Sequence, residues 1–293
     1  MPKLKLTNPD KLYWPEDKIT KGDLINYYRD IAPYILPYLK NKPLSLKRNP
    51  DGIHGQVFFQ KDAIGIVPDW IKTFPVKAES TGKMVNYAVC NTADALLFIA
   101  NLGCIEMNPW NSVITKPDNP DYLVMDIDPS DKNTFDEVID TALVIRDVLK
   151  KAGMEGYCKT SGASGMHVYI PMKRKYMYDE VREFARIIAT LTQEQLPKTT
   201  TLERSLSKRK KNHIYVDFLQ NSRGQTLASA YSVRPKPGAT VSAPLEWKEV
   251  KHGILPTDFT IKNILKRVAK KGDLFSGVLG AGGDLRKALK LLE

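Results

Sequence analysis

From Tyr122 onward the chain switches repeatedly between short apolar runs and long stretches with helical spacing. Tyr122-Leu-Val-Met-Asp126-Ile-Asp128 is an apolar run that ends in two carboxylates and is stopped by Pro129. Thr134-Phe-Asp-Glu137 then has the form of a capping box, and the spacing predicts a helix over 134–152 that closes at Gly153. Residues 157–160 and 166–170 read as strands joined by the turn Ser161-Gly-Ala-Ser-Gly165. A second helix is predicted over 178–195 and a fourth strand over 213–218. The order is β-α-β-β-α-β.

In that split βαβ, or ferredoxin-like, arrangement the first strand lies between the third and the fourth. Side chains alternate along a strand, so Asp126 and Asp128 share one face while Ile127 takes the other. Asp217, on the fourth strand, comes within reach of the pair, and His167, on the third, comes alongside. Carboxylates this close resist joint ionisation unless a divalent cation lies between them. The hard oxygen donors point to Mg²⁺ or Mn²⁺. Beside them the turn Ser161–Gly165 offers free amides and hydroxyls that can cradle a phosphate, although glycine and serine also mark ordinary hairpins. Lys208-Arg-Lys-Lys211, ahead of the fourth strand, reads as a solvated loop.

The first third has a different pattern. A helix starts at Thr20, where Thr20-Lys-Gly-Asp23 resembles a capping box, and Leu24, Tyr27, Tyr28 and Ile31 form its apolar stripe. Lys11, Lys18 and Lys21 cluster at its entry, as a phosphate pocket or as a solvated basic face. Strands over 43–48 and 56–61 flank the turn Asn49-Pro-Asp-Gly52. Adjacent Phe58 and Phe59 cannot both point into one core. Either one ring is exposed for base stacking near Lys47, Arg48 and Lys61, or the strand is buried on both faces. Residues 84–107 read as strand, helix with Thr92 as its N-cap, and strand, followed by the polar loop Asn108-Pro-Trp110. Lys116-Pro-Asp-Asn-Pro120 reads as a connector between modules. After Asp217 another turn and strand run through Gln220 to Thr226, and Arg234 precedes a proline in extended backbone, suited to reaching a triphosphate. A helix over 259–271 leads into the glycine run 277–283, expected to be mobile; with no strand before it, this is no dinucleotide fingerprint.

Composition narrows the partners. Forty-four Lys and Arg against 33 Asp and Glu leave a net charge of +11 on 293 residues, which points to a polyanion. Membrane is the poorer choice: the opening Met1-Pro-Lys-Leu-Lys has no signal-peptide core, and the most apolar stretch, 95–105, is short and contains Asn101. Cys90, Cys104 and Cys158, with no C-x-x-C, read as buried free thiols of a reducing compartment.

Taken in order, Leu123-Val-Met-Asp126-Ile-Asp128-Pro129, Ser161-Gly-x-Ser-Gly165-x-His167 and Val216-Asp217 resemble the three motifs of archaeo-eukaryotic primase-polymerases. The chain is more similar still to the polymerase domain of bacterial and archaeal ligase D, used in non-homologous end joining. Thr7-Asn-Pro-Asp-Lys11, Phe58-Phe59, Pro109-Trp110, Tyr231-Ser-Val-Arg234 and Pro244-Leu-x-Trp247 extend the match over nearly the whole length. The resemblance implies template-directed nucleotidyl transfer, preferring ribonucleotides, at DNA ends. It implies that Asp126, Asp128 and Asp217 hold two Mn²⁺ or Mg²⁺ ions, and that Lys47, Asn108, Ser161, Ser164, His167, Gln225 and Arg234 contact the incoming NTP or dNTP. It assigns Asn8, Lys11 and Lys21 to a 5′-phosphate and Phe58 and Phe59 to stacking near the template. Partners would be gapped or broken double-stranded DNA, Ku and a DNA ligase, and the setting cytoplasmic, at the nucleoid.

Two departures stand out. Many relatives carry His-Pro-Trp where this chain has Asn108-Pro-Trp110, and many carry Lys at the position of Ser164. No ligase K-x-D-G motif and no phosphoesterase-like histidine cluster is present, so the expectation is a domain cut from a fusion or a stand-alone polymerase. The expected architecture is one α+β primase-polymerase domain over 1–293. An N-terminal α/β module spans about 1–118, a ferredoxin-like, RRM-like catalytic module about 119–258, and a helical tail about 259–293. The rival readings are a primase that starts chains unprimed, a two-metal nuclease, and a non-catalytic module bridging DNA ends.

Overall fold

The computed structural model describes residues 5–78 and 82–293; residues 1–4, part of the opening stretch weighed above for signal-peptide character, lie outside them. The chain forms two compact units, and each collects more than one stretch of sequence. The first comprises residues 1–115, 226–242 and 259–272, and the second 116–225, 243–258 and 273–293.

In the first unit, helix α1 (Lys21–Leu39) begins at Thr20, whose hydroxyl accepts from the Asp23 amide while the Asp23 carboxylate accepts from Thr20 N–H. Such a reciprocal cap is worth about 1 kcal/mol. The stripe Leu24, Tyr27, Tyr28 and Ile31 is buried, as its spacing predicts. Strand β1 (Pro43–Arg48) is the hub of a five-stranded antiparallel sheet. It pairs with β2 (Phe58–Gln60), with β4 (Met84–Val89) and with β5 (Cys104–Pro109), and β3 (Thr73–Lys77) pairs with β4. Helix α2 (Ala93–Asn101) starts at Thr92, which caps the Ala95 amide. Segment 226–242 is stitched into this unit: the Tyr27 hydroxyl donates to the Tyr231 carbonyl, and the Met107 amide donates to the Ser232 hydroxyl. All three cysteines are buried free thiols.

The second unit is built on β6 (Tyr122–Asp128), α3 (Phe135–Lys151), β7 (Tyr157–Thr160), β8 (Met166–Pro171), α4 (Tyr178–Gln195) and β10 (Ile214–Asp217). Its sheet runs β9 (Thr200–Thr201), β10, β6, β8, β7, β11 (Pro244–Leu245), so the four central strands have the ferredoxin-like order with an extra short strand at each edge. Leu123, Met125 and Ile127 are fully buried, facing Ile170, Val168 and Met166 across β8. Helices α3 and α4 pack on this sheet and on each other. The alternate positions of β6 are thereby left for chemistry.

Several expectations change. Lys116–Pro120 is a strand, because its residues adopt an extended ladder despite the two prolines. Residues 219–226 hold a 3-10 turn (Leu219–Asn221) where a strand was expected; the Asn221 side chain is drawn in to bridge Val124 N–H and C=O. The tail helix is shorter, α5 (Ile264–Lys271), and a further helix, α6 (Leu285–Leu292), follows it, capped by Asp284. The glycine run between them is packed. Gly277 lies against the Tyr157 ring and Gly282 against the Met172 backbone, positions where a Cβ would collide.

Candidate active site

The acidic residues form a straight row. Antiparallel register sets Asp126 opposite Asp217 on one side and opposite His167 on the other, and His167 in turn sits opposite Lys159 on β7. Directly opposed residues share a face, so Asp217, Asp126, His167 and Lys159 cross four strands as one line. Asp128, two residues beyond Asp126, faces Tyr215. His167 Nε2 is 3.3 Å from Asp126 Oδ1, and Lys159 Nζ is 2.7 Å from His167 Nδ1.

Backbone chemistry explains why the row is held firmly. Asp217 Oδ1 accepts from the Leu219 amide at 2.7 Å and from the Tyr215 hydroxyl at 3.0 Å. The turn after β7 closes on the Ser161 hydroxyl, which accepts from the Ala163 and Gly165 amides. Gly165 is obligatory here, since a Cβ would run into the Ile127 carbonyl oxygen. Ser161 is buried in this loop, whereas Ser164 and Gln225 are exposed.

Electrostatics mark the row as overcharged. Partial burial, then repulsion from Asp126, pushes the Asp128 carboxyl above its usual range, and burial with the Asp126 charge does the same to Asp217. The Arg209 guanidinium opposes this, 3.7 Å from Asp128 and stacked 4.2 Å over the Tyr215 ring. Arg209 is thus not part of a fully solvated loop, as the run Lys208–Lys211 suggested: its side chain is only 8% exposed. A cavity of about 460 Å³ lies beside it, lined by Asp128, Ser130, Lys132, Arg209 and Lys211 among others. Among the described residues no group of three or more acidic, histidine or cysteine side chains is closed tightly enough to hold a metal ion as it stands. The donor set nevertheless suits one, because the mutual repulsion of clustered hard carboxylate oxygens is what a divalent cation would relieve.

The first unit carries a second charged cluster. Glu106, buried on β5, accepts from Arg234 Nε at 2.9 Å and from Lys47 Nζ at 3.3 Å, with the Asn108 amide at 3.4 Å. Burial pushes its carboxyl up, but Arg234 and Lys47 outweigh that and the net shift is downward. Three residues predicted to contact nucleotide (Lys47, Asn108 and Arg234) therefore meet on one acid that the sequence reading missed. Phe58 and Phe59 are both exposed, 38% and 66%, with Arg48 over the first ring and Lys47 at 6.0 Å over the second. Neither ring plugs a core. At the entry to α1, Lys11 pairs with Asp51, and buried Lys21 donates to the Thr7 carbonyl and hydroxyl at 2.8 and 2.9 Å. Burial and the nearby charges of Lys11 and Arg48 lower the Lys21 pKa. Asn8 is exposed, in left-handed backbone.

Of the residues missed, Glu106 and Lys159 left a signal, since each is a lone charge within an otherwise strand-like apolar run. Nothing in the sequence distinguished Arg209 from its neighbours.

A ferredoxin-like sheet with two aligned carboxylates, a third beside them and a histidine, in a mixed α/β chain, is an arrangement that suits nucleotidyl transfer of the polymerase type. Residues 20–275 match the family model for "LigD, primase-polymerase domain", and the chain belongs to that family, whose members are DNA-directed nucleotidyltransferases. It is 33% identical over 273 residues to the bifunctional non-homologous end joining protein LigD of Bacillus subtilis, covering 92% of this chain and 43% of that protein. It is 30% identical over 248 residues to the multifunctional LigD of Pseudomonas aeruginosa, covering 84% and 29%. The chain thus spans less than half the length of these relatives. Among solved structures, the polymerase domain from Mycobacterium tuberculosis ligase D in complex with DNA is similar, with a TM-score of 0.88 and 26% identity over 97% of this chain and all of that one.

Proposed function

We propose that the chain is a template-directed polymerase that prefers ribonucleotides. It fills gaps and extends 3′ ends at double-strand breaks bearing a 5′-phosphate, as one step of non-homologous end joining. The observation that carries the reading is the cross-strand row of Asp217, Asp126 and His167 with Asp128 beside it. Two divalent ions, Mn²⁺ or Mg²⁺, held by Asp126, Asp128 and Asp217 would lower the pKa of the primer 3′-hydroxyl and neutralise the triphosphate.

The protein's own contribution is positioning and charge. The Ser161–Gly165 loop brings the hydroxyls of Ser161 and Ser164 to phosphate oxygens, its Ala163 and Gly165 amides being taken up by Ser161 rather than left free. His167 offers a ring nitrogen beside Asp126. Lys47 and Arg234 supply cations, Asn108 and Gln225 supply amides, and each engages the incoming nucleotide. Asn108 and Ser164, where many relatives have His and Lys, make metal and triphosphate affinity this chain's own. Phe58 and Phe59 stack at the template, and Asn8, Lys11 and Lys21 hold the 5′-phosphate. Ku and a DNA ligase are the proposed partners, and the cytoplasm at the nucleoid the proposed setting. No helix among the described residues is long and apolar enough to cross a membrane.

The test is extension of a gapped DNA carrying a downstream 5′-phosphate, with Mn²⁺, comparing ribo- with deoxynucleotides. Templated addition that favours ribonucleotides and weakens without the phosphate is expected. Synthesis confined to unprimed single strands would instead make the chain a primase. Tight end binding with no synthesis would make it a bridging module.

A further inference from the structure

We propose that Lys159 is a positioning residue that fixes His167 as a hydrogen-bond donor to the acidic row; the proposal rests on the polymerase reading of that row. Lys159 is fully buried in the middle of β7, an expensive place for an ammonium group. Its Nζ lies 2.7 Å from His167 Nδ1 and 5.4 Å from the centroid of the Tyr169 ring, whose face attracts a cation. Held as an ammonium, the form that the Tyr169 ring face and the acids beyond His167 favour, Lys159 has three donors and no acceptor, so Nδ1 accepts. In the uncharged ring the proton then resides on Nε2, the nitrogen 3.3 Å from Asp126 Oδ1.

The chemical consequence is specific. With its lone pair committed to Lys159 and its proton on the side of the acids, His167 can donate to Asp126 or to a phosphoryl oxygen arriving beside it. It has no free ring nitrogen with which to ligate a metal ion or to take the proton of the primer hydroxyl. Register supports the assignment, because Lys159, His167 and Asp126 are direct cross-strand neighbours on adjacent strands and cannot drift apart without breaking the sheet.

The experiment uses the whole chain, free of metal and DNA, with ¹⁵N-labelled histidine at about pH 8.5, where imidazole is ordinarily uncharged. His167 is identified by its loss in His167→Ala. The expected spectrum is that of the Nε2–H tautomer with Nδ1 accepting a hydrogen bond. Lys159→Met should shift the ring towards a mixture of tautomers and lower kcat for extension about 10–100-fold, without loss of thermal stability. Lys159→Gln, which keeps a neutral donor of similar length, should retain the tautomer and recover part of the rate. In a His167→Ala background Lys159→Met should change the rate by less than about twofold. A proton on Nδ1 in the unmodified protein, or an undiminished Lys159→Met penalty without His167, overturns the proposal. The tautomer is read without substrate, so a chain that extends nothing would remove the polymerase reading and leave the hydrogen-bond assignment to be judged separately.

Discussion

Two charged clusters in this molecule solve opposite problems. In the first unit a single buried acid, Glu106, is met by two cations and an amide, and its carboxyl is held below the ordinary range. In the second unit three acids crowd one sheet face, and two of them, Asp128 and Asp217, are pushed above it. In the first cluster the single negative charge is more than matched by Lys47 and Arg234, which it holds in place. The second has excess negative charge that its own neighbours do not cancel, which is the condition for binding cations from solution. A charge that the fold has balanced stabilises the fold; a charge left unbalanced serves a ligand.

The sharpest break of this contrast is Asp126→Ala. It should reduce primer extension by more than about 10²-fold while leaving DNA binding, measured by anisotropy, largely unchanged. Extension that survives would refute the proposed role of the row. In the balanced cluster, Glu106→Gln should cost about 3 kcal/mol in denaturant titrations, because two partly buried cations lose their counter-charge. The pH dependence follows from the depressed carboxyl. A lowered folded pKa means that the stabilisation is complete above the unfolded value, about 4.5, and is lost as pH falls through the folded one. The difference between the two proteins should therefore be flat from pH 8 to 5 and shrink below 4.5. A penalty that grows on acidification would show that Glu106 is not the stabilised anion.

Much of the second unit could be read from the chain because its information is local. Thr134 and Glu137, Gly153, the Ser161–Gly165 turn and period-two alternation fix each element where it stands, and the order of elements fixes which strands are neighbours. The alignment of Asp126 with Asp217 and His167 follows from that order. What escaped depends on contacts remote in sequence. Arg209 is one cation among four until Asp128 and Tyr215 select it, and Glu106 acquires its meaning only when residue 234 returns to it. The glycine run 277–283 looks mobile by composition, yet Gly277 and Gly282 let the chain lie against the Tyr157 ring and the Met172 backbone. Helix α6 is a short cationic amphipath whose partner surface no local pattern announces.

Smaller effects sharpen the comparison at the edges of both units. Phe59, more exposed than Phe58 and without the close Arg48 contact, should carry the larger share of the stacking. Phe59→Ala should weaken binding of a templating overhang by about 1–3 kcal/mol and leave the melting temperature unchanged, with Phe58→Ala losing less affinity and more stability. The reverse order would exchange their roles. Lys21→Met should lower the advantage conferred by a 5′-phosphate and reduce the salt slope of binding by about one. An unchanged preference for phosphorylated ends would confine Lys21 to its bonds with Thr7.

The smallest expected effect tests the contrast most directly. Asp126 is a cause of the raised carboxyl values of both Asp128 and Asp217, so its negative charge costs the free protein stability. Asp126→Asn keeps the oxygen that faces His167 and removes only the charge. In EDTA the variant should melt about 1–3 °C above the parent, a gain of about half a kcal/mol. The sign can be checked by acidification. A raised carboxyl pKa destabilises at neutral pH, and that penalty disappears as the group protonates, so the advantage of Asp126→Asn should fade as pH drops towards 4. Addition of Mn²⁺ should reverse the order, because the parent gains binding energy that the variant lacks. If Asp126→Asn instead melts lower in EDTA, the row is a balanced cluster like that around Glu106, and the distinction between the two charged regions fails.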